Sequence, residues 1–110
     1  MAAFLGAPPR AEDPARVIVA WSPRAVAHLR ALRAYIAQNN PEAAADIAGA
    51  LLSAVARLAH LPNLGRPGRL ADTRELVVPG TPSIVVYRMR ADRLEILAVF
   101  HGRRKWPDQL

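Results

Sequence analysis

The residues able to do chemistry gather in two places. The first is near the C-terminus, where His101, Gly102, Arg103, Arg104 and Lys105 run into Trp106. An imidazole that titrates near neutral pH stands there beside three cations. On a nucleic acid the cations would hold phosphate and His101 would move a proton. A solvated basic end, with His101 packed at a strand terminus and Trp106 anchoring the tail, accounts for the same residues. The second place is the stiff segment Leu64-Gly65-Arg66-Pro67-Gly68-Arg69. Its glycines are expected to supply positive φ and its proline to fix the chain. It would thereby display Arg66 and Arg69 as ligands for a phosphate or a carboxylate. It is not a phosphate-binding loop of the Walker type, because the glycine spacing is wrong and no Gly-Lys-Ser/Thr follows. His28, His60 and His101 are scattered without carboxylates at ligand spacing, so no metal site is expected. His28 and His60 read as surface or helix-end residues.

These side chains need a frame, and apolar periodicity supplies one. Arg16 to Trp21 reads as a first strand. Ser22-Pro23 then reads as an N-cap followed by a first helical residue. Ala25, Leu29, Leu32 and Ile36 fall on one helical face, widened by Val26. Asn39-Asn40-Pro41 ends that helix and opens a second, with Glu42 favourably placed near the positive helix end. Ile47, Leu51, Val55 and Leu58 form its stripe, and Leu61-Pro62 closes it. Two amphipathic helices joined by so short a break predict an antiparallel hairpin. Further strands are expected at about 74–78, 83–90 and 94–101. Pro79-Gly80 separates the first two, and Ala91-Asp92 the last two. Ala91-Asp92 is the second turn; it lacks the usual glycine, which leaves room for a slightly longer loop. Residues Ile84 and Val86 alternate with Val85, Tyr87 and Met89, so both sheet faces are partly apolar and each needs a cover. The helices cover one; a partner segment or the C-terminal tail would cover the other.

The reading is therefore an α+β domain: an antiparallel sheet of about four strands with a helical hairpin on one face, in the order β-α-α-β-β-β. Residues 1–15 read as a flexible N-terminal tail and 16–110 as a single domain. A chain of 110 residues forms one small, marginally stable core. The net charge is +6, and Lys105 is the only lysine. Such a basic surface suits an acidic partner, protein or nucleic acid; arginine-rich codon usage is the alternative source of the charge. The chain has no cysteine, which fits the cytoplasm. No run approaches the roughly 18 apolar residues of a membrane span. No cofactor and no membrane partner are expected.

One combination is more specific than its parts. It comprises Trp21-Ser22-Pro23, Asn40-Pro41, Leu61-Pro62 with Gly65-Arg66-Pro67, Arg74-Glu75-Leu76, Tyr87-Arg88, and Ile96-Leu97 leading to His101-Gly102-Arg103. In that order and spacing it resembles the RelE/ParE toxin superfamily of type II toxin–antitoxin systems, and sits closer to the ParE side. The resemblance spans about Val17 to Pro107. It implies a cognate antitoxin as partner, with operator DNA met only through the toxin–antitoxin complex. It implies DNA gyrase as the target of a ParE-type member. RelE-type members instead cut messenger RNA on the ribosome, and an inactive member would only bind its antitoxin. RNA cleavage needs a base, an acid and cations on the phosphate. RelE-type sites draw on lysines that the body of this domain lacks. Arginine stays charged and cannot readily accept a proton. An endoribonuclease would thus rest on His101 as base, or less readily Glu75, with Arg74 and Arg88 stabilising charge. A ParE-type toxin would use Arg66, Arg69, Arg103, Arg104, Lys105 and Trp106 to bind its target, with no catalytic residue.

Overall fold

The computed structural model describes residues 5–6 and 17–101. Two helices lie across one face of a six-stranded sheet of order β1-β2-β6-β5-β4-β3. The strands are β1 (Leu5–Gly6), β2 (Ile18–Trp21), β3 (Arg66–Pro67), β4 (Arg74–Val77), β5 (Ser83–Arg90) and β6 (Arg93–His101). The helices are α1 (Pro23–Ala37) and α2 (Pro41–Leu58).

The helices begin where the sequence places them. Ser22 Oγ accepts the Ala25 N–H at 3.0 Å, and Asn40 Oδ1 accepts the Ala43 N–H at 3.0 Å. Each cap satisfies one of the free N–H groups of a first turn. Ser22 Oγ also donates to the Leu97 carbonyl at 3.1 Å, which fastens the start of α1 to β6. The expected stripes form the core. Ala25, Leu32, Leu51, Val55 and Leu58 are buried against Val85, Tyr87, Leu94, Ile96 and Val99, with Leu29, Ile36 and Ile47 packed around them.

The sheet departs from expectation in two ways. It is mixed, because β2 pairs parallel with β6, Ile18 opposite Arg93 through Trp21 opposite Ile96. The helical hairpin separates β2 from the later strands, which reverse in turn from β4 through β5 to β6, and β6 comes back alongside β2 in the same direction. Second, two two-residue strands extend the edges. Arg66–Pro67 pairs with Arg74–Glu75, so the arginine loop is partly sheet, with its proline on an edge where no ladder donor is needed. Leu5–Gly6 pairs with Ala20–Trp21; the rest of the expected N-terminal tail lies outside the described residues. The turn at Ala91-Asp92 is as expected, with two residues and no longer loop. Arg90 is opposite Arg93, and Ala91 takes the left-handed conformation (φ 57°) in place of a glycine.

Positive φ is also absent where the sequence suggested it. Among the described glycines only Gly80 has it (φ 76°), closing the Val78–Thr81 turn behind Pro79. Gly65 is required by close approach instead: a Cβ there would lie 2.7 Å from the Tyr87 hydroxyl and 2.9 Å from the Glu75 carbonyl oxygen. On the face away from the helices, Val86, Ala98 and Phe100 form a second, smaller buried cluster with Leu97. The β5–β6 register shifts by one residue beside Leu97, between Val86 and Tyr87.

Candidate functional site

The arginine loop is held by three side chains of the sheet. Tyr87 is fully buried on β5 and faces the helices. Its hydroxyl donates to the Pro62 carbonyl and accepts the Gly65 N–H, both at 2.8 Å. Burial pushes the Tyr87 phenol above its ordinary pKa; the Gly65 hydrogen bond and the Arg74 charge oppose that shift. Arg74, opposite Tyr87 on β4, donates through Nη1 to the Gly65 carbonyl at 2.7 Å. Glu75 points to the other face and is buried. Its Oε1 takes Arg66 Nη2 at 3.3 Å, and its Oε2 takes the Arg69 backbone N–H at 2.8 Å. Both carboxylate oxygens are therefore engaged in holding the loop, which gives Glu75 a structural role.

A second buried carboxylate follows the same rule. Glu95 on β6 accepts Arg88 Nε at 2.7 Å across the β5–β6 ladder, the two residues being directly opposite. The Arg88 side chain keeps 30% of its exposure and that of Glu95 keeps 5%. A charge-assisted bond of this length is among the stronger contacts available to a protein. Its role is to compensate a carboxylate taken out of water.

The residues required by an endoribonuclease do not converge. His101 is opposite Ser83 at one end of β5, while Arg88 is five residues along. At about 3.4 Å per residue that is roughly 17 Å. Arg74 pairs with Tyr87, beside Arg88, so it too lies far along the sheet from His101. His101 has a different peculiarity: its Nδ1 is buried without a hydrogen-bond partner, and so is the hydroxyl of the fully buried Ser83 opposite. Of the expected target-binding residues, Arg66 and Arg69 stand exposed on the loop, Arg66 paired with Glu75. Arg103, Arg104, Lys105 and Trp106 lie outside the described residues.

Sequence reasoning missed several contributors. His28 is not a plain surface residue. Its Nδ1 accepts the Val99 N–H at 3.1 Å, and its ring lies 5.4 Å from that of Phe100. It thus caps the edge of β6 beyond the reach of the short β2. The two buried carboxylates and the Tyr87 hydroxyl were also missed as structural anchors. The one usable signal was their occurrence within otherwise apolar strands. No group of three or more metal-ligating side chains occurs among the described residues. Nor is any described helix long and apolar enough to cross a membrane.

Comparison with known proteins follows the same architecture. Residues 19–106 match the family described as the ParE toxin of the type II toxin–antitoxin system, parDE. The chain is 42% identical over 92 residues to Y4kP of Sinorhizobium fredii, a protein named for a toxin role, covering 84% of this chain and 95% of that one. It is 38% identical over 86 residues to the toxin RelE2 of Caulobacter vibrioides, covering 78% of this chain and 96% of that one. Among solved structures, the chromosomal ParDE toxin–antitoxin system of P. aeruginosa superposes with a TM-score of 0.70 at 24% identity. That match covers 74% of this chain and 90% of the other, and it carries the fold alone.

Proposed function

The chain belongs to the ParE toxin family of type II toxin–antitoxin systems, and from that premise we propose that it inhibits DNA gyrase and is neutralised by a cognate antitoxin. The observation that carries the gyrase reading is the separation of His101 from the arginines: about 17 Å of strand lies between it and Arg88, and Arg74 sits opposite Tyr87, next to Arg88. Acid–base cleavage of RNA needs its base and its phosphate ligands within hydrogen-bond reach of one phosphodiester. Binding to a protein target needs no such convergence. In this reading the exposed loop cations Arg66 and Arg69, with Arg103, Arg104, Lys105 and Trp106, contact the target. The antitoxin would cover apolar surface to which Tyr35, Leu52 and Val77 contribute, being 65%, 51% and 49% exposed.

One observation favours the endoribonuclease reading instead: the unpartnered Nδ1 of His101, whose proton position no described neighbour fixes. Induction of the chain alone separates the two. Gyrase inhibition predicts loss of supercoiling and DNA damage with ribosome-bound message intact, and purified chain should block supercoiling by gyrase. Codon-dependent cutting of message, abolished in a folded His101→Ala variant, would replace this reading. Co-expression with the neighbouring reading frame should yield a stable complex and a higher Tm through ligand linkage.

A further inference from the structure

Strand β5 is longer than its neighbour on one side. β4 pairs with it only from Ile84 to Tyr87, so residues 88–90 are bonded to β6 alone. On the vacated side the chain between β3 and β4 folds back on itself. The Gly68 N–H bonds the Thr73 carbonyl at 2.8 Å, and Thr73 Oγ1 bonds the Leu70 carbonyl at 2.7 Å. A cleft of about 590 Å³ is left between this loop and the end of β5. Pro67, Thr73, Arg74, Arg88, Met89 and Arg90 line it, with Asp72 on the same wall.

The charges around the cleft are unbalanced. Arg74 is fixed through one nitrogen to the Gly65 carbonyl, and Arg88 through Nε to Glu95. Each keeps further guanidinium N–H groups beyond the bonded one, on a side chain whose direction is already set. Arg90 is exposed, and it stands directly opposite Arg93 across the two-residue turn. Neither has an ion pair among the described residues. Like charges directly opposite on adjacent strands are unfavourable, and an anion between or beside them reverses the sign. The turn that enforces this pairing holds Ala91 at positive φ, a conformation a longer loop would have avoided. Four guanidinium groups are thus gathered at one end of the sheet. Against them stand the buried Glu95 carboxylate and the exposed Asp72 and Asp92, which leaves an excess of positive charge.

We propose that this cleft, between the 68–73 loop and the free end of β5, binds a phosphate group, with Arg74, Arg88 and Arg90 as its ligands. A phosphate offers several acceptor oxygens to planar, forked donors approaching from different directions, and guanidinium groups match that geometry. The volume lies in the range of small-ligand sites. Pro67 and Met89 add an apolar wall beside the charge, as a phosphate attached to a base and sugar requires. The sources of such a phosphate are a free nucleotide and the backbone of a nucleic acid. The site stands apart from the His101 end of the strand and from the gyrase reading, neither of which it needs.

The test is titration of the full chain, at low ionic strength, with inorganic phosphate, a 5′-nucleoside monophosphate and a short single-stranded oligonucleotide lacking terminal phosphates. A glutamate octapeptide serves as the competing anion. Amide shifts should concentrate in residues 72–74 and 88–91 and saturate. Arg90→Ala, an exposed change with no described partner to lose, should weaken binding about tenfold, the usual worth of a bond to a charged group. Arg33→Ala, on the outer surface of α1, should leave it unchanged. Tighter binding of the nucleotide identifies a free nucleotide as the source, and tighter binding of the oligonucleotide identifies a backbone; both support the site. Shifts scattered over the basic surface, equal affinity in Arg90→Ala, or preference for the acidic peptide over every phosphate would overturn it.

Discussion

At the Tyr87 end of β5 the buried polar groups are paired, whereas at the Ser83 end two are not. The Tyr87 hydroxyl has a donor and an acceptor, and Glu75 has a partner on each oxygen. Glu95 is met by Arg88. Five residues before Arg88, Ser83 Oγ and His101 Nδ1 lie opposite each other with no partner among the described residues. A satisfied network in a low-dielectric interior rigidifies what it holds. Here it holds the loop bearing Arg66 and Arg69, and its cost in desolvation is offset by short bonds. An unsatisfied buried polar group costs about 1–3 kcal/mol. That loss is carried at the end of the sheet from which the chain runs on into Arg103, Arg104 and Lys105. Among the described residues one end is a satisfied frame, and the other keeps two buried polar atoms without a partner.

The sharpest way to break the contrast is to remove Arg88. Arg88→Ala leaves Glu95 buried without its cation, and breaking such a pair by removing one partner costs about 3 kcal/mol or more. The remaining exposure of Arg88 places the expected loss at the low end of that range. Denaturant unfolding with an unchanged m-value would measure it. A loss below about 1 kcal/mol would show that water reaches Glu95 and that the frame is looser than described.

Tyr87→Phe comes next, at about 2 kcal/mol, because it leaves the Gly65 N–H and the Pro62 carbonyl without their partner. It also carries a pH signature. Burial raises the pKa of Tyr87, so its contribution is fully present below the unfolded value near 10 and is lost as pH rises past it toward the folded value. Wild-type stability should therefore fall above about pH 10 more steeply than that of Tyr87→Phe. Parallel curves would show that the phenol is not shielded. Arg66→Ala should cost less than about 1 kcal/mol, since the Arg66 side chain is 58% exposed and Glu75 retains the Arg69 N–H. Gyrase inhibition or toxicity measured on the same variant reports separately whether Arg66 contacts the target.

The contrast between the two ends also explains what was legible in the sequence. Caps, apolar stripes and the limits of β5 were legible because each depends on local chemistry: Ser22 and Asn40 cap, Leu51 and Leu58 repeat at helical spacing, and Ser83 to Arg90 is β-rich throughout. The parallel pairing of β2 was not, because orientation is decided by the path of the whole chain from β2 to β6. Glu75 read only as a less ready base and Glu95 was not singled out, since a lone carboxylate in a strand carries no mark of the arginine that will meet it. Gly65 suggested a left-handed turn, and its actual reason, the approach of Tyr87, arises from a residue 22 positions away. The missing partners of Ser83 and His101 are likewise a property of three-dimensional surroundings.

The smallest expected effect is the most discriminating. Ser83→Ala removes a hydroxyl from a fully buried residue on β5, as Tyr87→Phe does, and both side chains face the helices. The two changes remove the same group from the same strand and differ in whether that group is paired. Loss of an unpaired buried hydroxyl relieves a desolvation penalty, so Ser83→Ala should be neutral or up to about 1 kcal/mol more stable than wild type. The gap between the two variants, about 2–3 kcal/mol, would measure the worth of pairing in this sheet. A destabilisation by Ser83→Ala comparable to that of Tyr87→Phe would mean that Ser83 Oγ has a partner in solution, such as a buried water shared with His101 Nδ1. The two ends would then be alike, with His101 held in place by that water.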